Sequence, residues 1–237
     1  GAFMFGDKAD EQVNPMLEGL KHDYAVVSIN YRLSGEAVFP KNINDVKAAI
    51  RWVKAHAATY KMNPDKIVVW GGSAGGNLAA LAGTSGGVKE LEDLSLGNAN
   101  QSSRVQAVVD WFGPTNFLLM DKQLIETGNG KADHSDVNSP ESKLMGQKIT
   151  EIPERVLLAN PETYITKDDP PFLIEHGTKD QLVPTQQSIN FAAKLRAVLG
   201  KEKIIIHLLK DARHGGPQFE TKENLELVFR FLDSVLK

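Results

Sequence analysis

Ile67-Val68-Val69-Trp70-Gly71-Gly72-Ser73-Ala74-Gly75-Gly76-Asn77-Leu78-Ala79-Ala80-Leu81 is the stretch that decides the fold. Its first four residues are apolar and β-favouring, as in a buried strand. Its last six are small or helix-compatible and read as a helix. Between them a serine sits at the apex of a sharp turn, with glycine two positions to either side. Set between a strand and a helix, this G-x-S-x-G spacing lifts a nucleophilic serine above a sheet. The turn strains the backbone at Ser73, and a Cβ at Gly71 or Gly75 is expected to collide with the neighbouring strand or helix. The hydroxyl then stands at a helix N-terminus, where free N–H groups meet developing negative charge.

A serine needs a base to take its proton, and the base needs a carboxylate to fix its tautomer. In this architecture the chain order is serine, then Asp or Glu, then histidine. Pro171 to Gly177 reads as a buried strand, and Asp180 follows it in the loop Thr178-Lys179-Asp180-Gln181. Lys203 to Leu209 is a further strand, running into Asp211-Ala212-Arg213-His214-Gly215-Gly216. Of the six histidines, His22 and His56 precede the serine among charged or alanine-rich residues and suit the surface. His134 lies in a polar loop, and His176 and His207 lie at strands as satisfied structural groups. His214, downstream and beside glycines, fits the base. Asp168, Asp169 and Asp211 compete with Asp180 for the carboxylate role. Asp211 is so close to His214 in sequence that a local turn explains it, and a turn aspartate before Val183-Pro184 is the plain alternative for Asp180.

Strands are expected at Tyr24–Asn30, Lys66–Trp70, Val105–Trp111, Phe172–His176 and Lys203–Leu209, short apolar runs that suit a covered parallel sheet. Helices alternate with them over Asn42–Tyr60, Thr185–Leu199 and Lys222–Leu236. The fold class is therefore α/β, with a mostly parallel sheet and helices on both faces. Phe117 to Ile165 is too long for a simple connection and is expected to form a cap insertion above the carboxyl edge of the sheet, a surface excursion with its own small core being the alternative. It carries two short helical patterns, after Pro140 and Pro153. Trp111 and Phe112 end a strand at that edge and suit either a substrate pocket or plain core.

Several stretches together resemble a known family. They are Gly71–Gly76, Tyr31-Arg32-Leu33-Ser34 with Phe39-Pro40, Asn44–Trp52, Asp110–Thr115, Asp168–Gly177 and His214–Pro217. The chain resembles bacterial carboxylesterases related to acetyl-xylan and feruloyl esterases, within the hormone-sensitive-lipase-like α/β-hydrolases. The resemblance implies one α/β-hydrolase domain over 1–237, with Ser73, Asp180 and His214 as its triad. It further implies an oxyanion hole from the N–H groups of Gly1, Ala2 and Ala74, with Gly1-Ala2-Phe3 matching the tail of the family's His-Gly-Gly segment. On that alignment a strand and a His-Gly pair are expected upstream, the strand lying between Tyr24–Asn30 and Lys66–Trp70. Short acyl or hydroxycinnamoyl esters of carbohydrate or other small alcohols are the implied substrates. A peptidase, an arylformamidase or a catalytically dead binding protein on the same scaffold are the alternatives.

At 237 residues and 41% hydrophobic content, the chain can bury a sizeable core. A net charge of −3 argues against nucleic-acid partners and membrane surfaces. The absence of cysteine excludes disulfides and thiolate metal sites. No run approaches the roughly 20 apolar residues of a bilayer span. Neither a cofactor nor a metal is expected.

Overall fold

The computed structural model describes residues 1–237. Its sheet has four strands, β1 (Val68–Gly72), β2 (Ala107–Trp111), β3 (Phe172–Gly177) and β4 (Ile204–Leu209). They pair in parallel and in chain order, with Gly72 opposite Trp111 and Trp111 opposite Glu175. Parallel neighbours require crossover connections. The helices are α1 (Lys41–Ala55), α2 (Ala74–Thr84), α3 (Met120–Thr127), α4 (Pro140–Met145), α5 (Pro153–Leu157), α6 (Gln186–Leu199) and α7 (Lys222–Leu236).

The period-2 geometry of strands divides the core. Val108, Phe172, Ile174 and Ile204 face the side packed by α1, α2 and α6, including Ile43, Ile50, Leu78, Phe191 and Leu195. Ala107, Val109, Trp111 and Leu173 face the other side, under Val228, Phe229 and Leu232 of α7. Each Val, Leu, Ile or Phe side chain fully buried in this way contributes about 1.5–3 kcal/mol. The segment 117–165 has no separate core: Phe117, Met120, Leu144, Ile149 and Val156 merge with the α1/α2 side. The patterns after Pro140 and Pro153 form α4 and α5, and Ser139 caps α4 by accepting from the Ser142 N–H at 3.0 Å.

Two expectations need correction. The helix expected over Asn42–Tyr60 ends at Ala55, and the chain beyond it turns back through Lys61 at φ 55°, with the Met62 N–H donating to Ala57 O. The larger correction is Tyr24–Asn30, which forms no strand. No backbone N–H from Ala25 to Tyr31 donates to a protein acceptor, and β1 pairs on one side only. The strand-forming residues are present but no strand lies beside them to complete a ladder. Instead, a cavity of about 1000 Å³ separates residues 24–31 from the free edge of β1. Val53 of α1 and Leu78 of α2 line it from one side, Phe229 and Leu232 of α7 from the other.

Candidate active site

β1 delivers Ser73 at its carboxyl end with φ 56° and ψ −121°, the strained backbone expected of the turn. Its N–H donates to Trp111 O at 2.9 Å, which ties the turn to β2. The glycine rationale holds at Gly71, where a Cβ would lie 2.3 Å from Gly75 O. It does not hold at Gly75, whose own Cβ would meet nothing within 4 Å. The second crowded position is Gly76, where a Cβ would lie 2.4 Å from Asp110 Oδ1. Close approach of α2 to β2 explains that requirement.

His214 stands over the serine. Ser73 Oγ–H donates to His214 Nε2 at 2.8 Å, and His214 Nδ1–H donates to Asp180 Oδ2 at 2.7 Å. The carboxylate can only accept, so it fixes the proton on Nδ1 and leaves Nε2 bare towards the serine. The structure thus brings Ser73, Asp180 and His214 into one chain. The rival carboxylates lie elsewhere: Asp211 pairs with Lys179 at 2.7 Å, and Asp169 accepts from Thr166.

Asp180 is buried, and its Oδ1 accepts the N–H groups of Leu182 and Val183 at 2.9 and 3.0 Å. Burial pushes its pKa up. The hydrogen bonds from His176 and His214, with their charge, outweigh burial and hold it at about 2. His176 is the contact that sequence reasoning missed. It is a satisfied buried histidine, as expected, but its Nε2 lies 3.1 Å from Asp180 Oδ2. The spacing His176-x-x-x-Asp180 around a strand end was the available signal.

Asp110, beneath the turn on β2, accepts from the Gly113 N–H at 3.0 Å, and burial pushes its pKa up to about 6. Phe112, at φ 43°, sets its ring edge-on to His214 at 4.8 Å between centroids. Trp111 packs against Trp70 and Phe219. Both residues border the cavity that also reaches Ser73 and His214. Ala74 opens α2, so its N–H has no intrahelical acceptor. The Ala2 N–H has no protein acceptor, and Ala2 lines the same cavity. Gly1 borders that cavity too.

The segment 117–165 reaches this site. Asn129 Nδ2–H donates to Asp180 O at 2.8 Å, and a Cβ at Gly130 would lie 2.2 Å from Gln181 O. His134 is not a plain loop residue. Its Nε2–H donates to Leu182 O at 2.9 Å, and Nδ1 lies 3.1 Å from Glu141 Oε2. Burial lowers its pKa, but the interactions with Glu141 and Leu182 outweigh burial and raise it.

A parallel sheet with a strained serine turn at the carboxyl end of a strand defines an α/β-hydrolase. Comparison with known proteins agrees. The chain belongs to the BD-FAE family, whose profile matches residues 1–195. It is similar to a probable carboxylic ester hydrolase, LipM, of Mycobacterium tuberculosis, 34% identical over 90% of this chain and 47% of LipM. Esterase LipQ of the same organism is 33% identical over 83% of this chain and 44% of its own. The chain spans about half the length of these curated relatives. Among solved structures, a bifunctional GH43-CE protein of Bacteroides eggerthii superposes with a TM-score of 0.89 at 37% identity, covering 100% of this chain and 30% of that one. A truncated form of a carbohydrate esterase from gut microbiota superposes with a TM-score of 0.86 at 34% identity, covering 99% and 82%.

Proposed function

We propose that this chain is a serine carboxylic-ester hydrolase that works through an acyl-enzyme. The observation that carries the reading is the His214 imidazole bridging Ser73 Oγ at 2.8 Å and Asp180 Oδ2 at 2.7 Å. Ser73 attacks the ester carbonyl as His214 Nε2 takes its proton, and Asp180 stabilises the imidazolium that forms. The tetrahedral oxyanion is held by the N–H groups of Gly1, Ala2 and Ala74. His214 then gives its proton to the leaving alcohol. A water, deprotonated by the same nitrogen, releases the acid.

For substrates we infer short acyl or hydroxycinnamoyl esters, including those of carbohydrates. Relatives named carboxylic ester hydrolase, esterase and carbohydrate esterase support ester chemistry. Trp111 and Phe112, bordering the cavity at Ser73, are the proposed apolar walls for the acyl group. The segment 117–165, which contacts the loop of Asp180, is the proposed cap. A fluorophosphonate probe tests the reading. Wild-type protein is expected to be labelled at Ser73 and to hydrolyse p-nitrophenyl acetate, and Ser73→Ala to do neither. An unlabelled, inert wild type would support a binding protein on the hydrolase fold instead.

A further inference from the structure

His176 is fully buried at the end of β3, and the reaction as described gives it no task. Its Nε2 lies 2.9 Å from Val183 O and 3.1 Å from Asp180 Oδ2. A carbonyl oxygen cannot donate, so Nε2 carries the proton and shares it between the two acceptors. In the neutral ring Nδ1 then accepts from Ser188 Oγ–H at 2.7 Å, which anchors the ring to α6. Asp180 Oδ2 therefore receives two imidazoles, His176 from inside the fold and His214 from the active-site side. The backbone donors from Leu182 and Val183 reach only Oδ1.

We propose that His176 is a positioning residue that clamps Asp180 Oδ2 towards His214 and shares its negative charge. The inference rests on the Ser73–His214–Asp180 reading. Oδ1 alone, bound to its local turn, leaves the carboxyl group able to swing, and the His176 N–H fixes the second oxygen. By also binding Val183 O, the ring ties the loop 180–183 to β3 and, through Ser188, to α6. The sharing matters for proton transfer. A hydrogen-bond donor on Oδ2 makes the carboxylate a weaker base, so Asp180 orients His214 without holding its imidazolium too tightly. Asp110 of β2 also interacts with His176 through its charge.

His176→Leu removes the donor, and His176→Gln keeps an N–H of similar reach. The readouts are kcat per site titrated with fluorophosphonate, KM, and the pH profile of kcat/KM with p-nitrophenyl acetate. For His176→Leu, kcat per titrated site is expected to fall about 10- to 100-fold, the range for a hydrogen bond to a charged group. KM is expected to stay within about 2-fold, because the residue does not touch substrate. The acid limb of the profile is expected to move to higher pH by roughly one unit, since the relieved carboxylate holds imidazolium more strongly. His176→Gln is expected to restore most of both. A merely structural residue would reduce the number of titratable sites but leave kcat per site and the limb unchanged. That result with His176→Leu would overturn the inference, and so would failure of Gln to rescue a folded enzyme. Should the Leu variant fail to fold, Ser188→Ala loosens the same ring, and a limb shift in the same direction is expected. A wild-type profile in Ser188→Ala would overturn the inference. Labelling of wild type at Ser73 separates these outcomes from failure of the triad itself.

Discussion

Ser73, His214 and Asp180 act as a unit in the proposed reaction, so their substitutions should not add. Ser73→Ala is expected to cost about 10⁶ in kcat, His214→Ala a similar amount, and the double variant little more. Asp180→Asn should cost less, about 10⁴, by favouring the wrong tautomer of His214. Steady-state kinetics on the four proteins checks this, and a larger loss from Asp211→Asn would move the carboxylate. Two buried aspartates set opposite stability trends. Asp180, held at about 2 against 3.8 unfolded, contributes about 2 kcal/mol that is present above pH 3.8 and lost as pH falls towards 2. Asp110, raised to about 6 from 3.8, works the other way. Its burial is free of penalty below pH 3.8 and costs about 3 kcal/mol as pH rises through 6. Asp110→Asn is therefore expected to be more stable than wild type at pH 8, with the gap closing by pH 4. Urea unfolding at both values measures it, and an equal gap at each would contradict the burial account.

At the scale of elements, β2 and β3 are paired on both sides while β1 is paired on one. Hydrogen exchange should follow that difference. Amides of β2 and β3 are expected to exchange more slowly than those of β4, which is paired to β3 alone. Exchange in β4 as slow as in β3 would contradict that pairing. The turn that carries Ser73 is equally testable. Gly71→Ala and Gly76→Ala should both be severely destabilising, because a Cβ meets Gly75 backbone or Asp110, whereas Gly75→Ala is sterically free. Chemical denaturation of the three variants ranks them. The sequence made the elbow, β1 to β4 within about two residues, and α6 and α7 legible, because strong periodicity and glycine spacing act locally. It misread Tyr24–Asn30, whose β-favouring residues say nothing about whether a neighbouring strand is there to pair with. It also assigned a clash to Gly75, although the contact belongs to the side of α2 that carries Gly76.

The three catalytic candidates were legible for a related reason: chain order and loop position follow from the fold. The contact of His134 with Leu182 was not, since a histidine in a polar loop acquires its role from a partner distant in the chain, and that of His176 with Asp180 showed only as a four-residue spacing around a strand end. At the scale of the whole molecule, the α1/α2/α6 side and the α7 side form two apolar cores joined by the sheet, and the cavity of about 1000 Å³ interrupts their seam beside β1. No group of three or more His, Cys, Asp or Glu side chains is arranged to hold a metal, and no helix is long and apolar enough to cross a membrane. Hydrolysis of p-nitrophenyl acetate is accordingly expected to be unchanged by EDTA, and loss of activity restored by a divalent cation would contradict the mechanism. The central claim is that Ser73 carries the acyl group between the two half-reactions. Acid-quenching wild-type protein during turnover of p-nitrophenyl acetate and mapping the peptides tests it most directly. The account predicts an acetyl group on Ser73 that is absent from His214→Ala. Turnover with no acetyl on Ser73, or with acetyl on another residue, would contradict it.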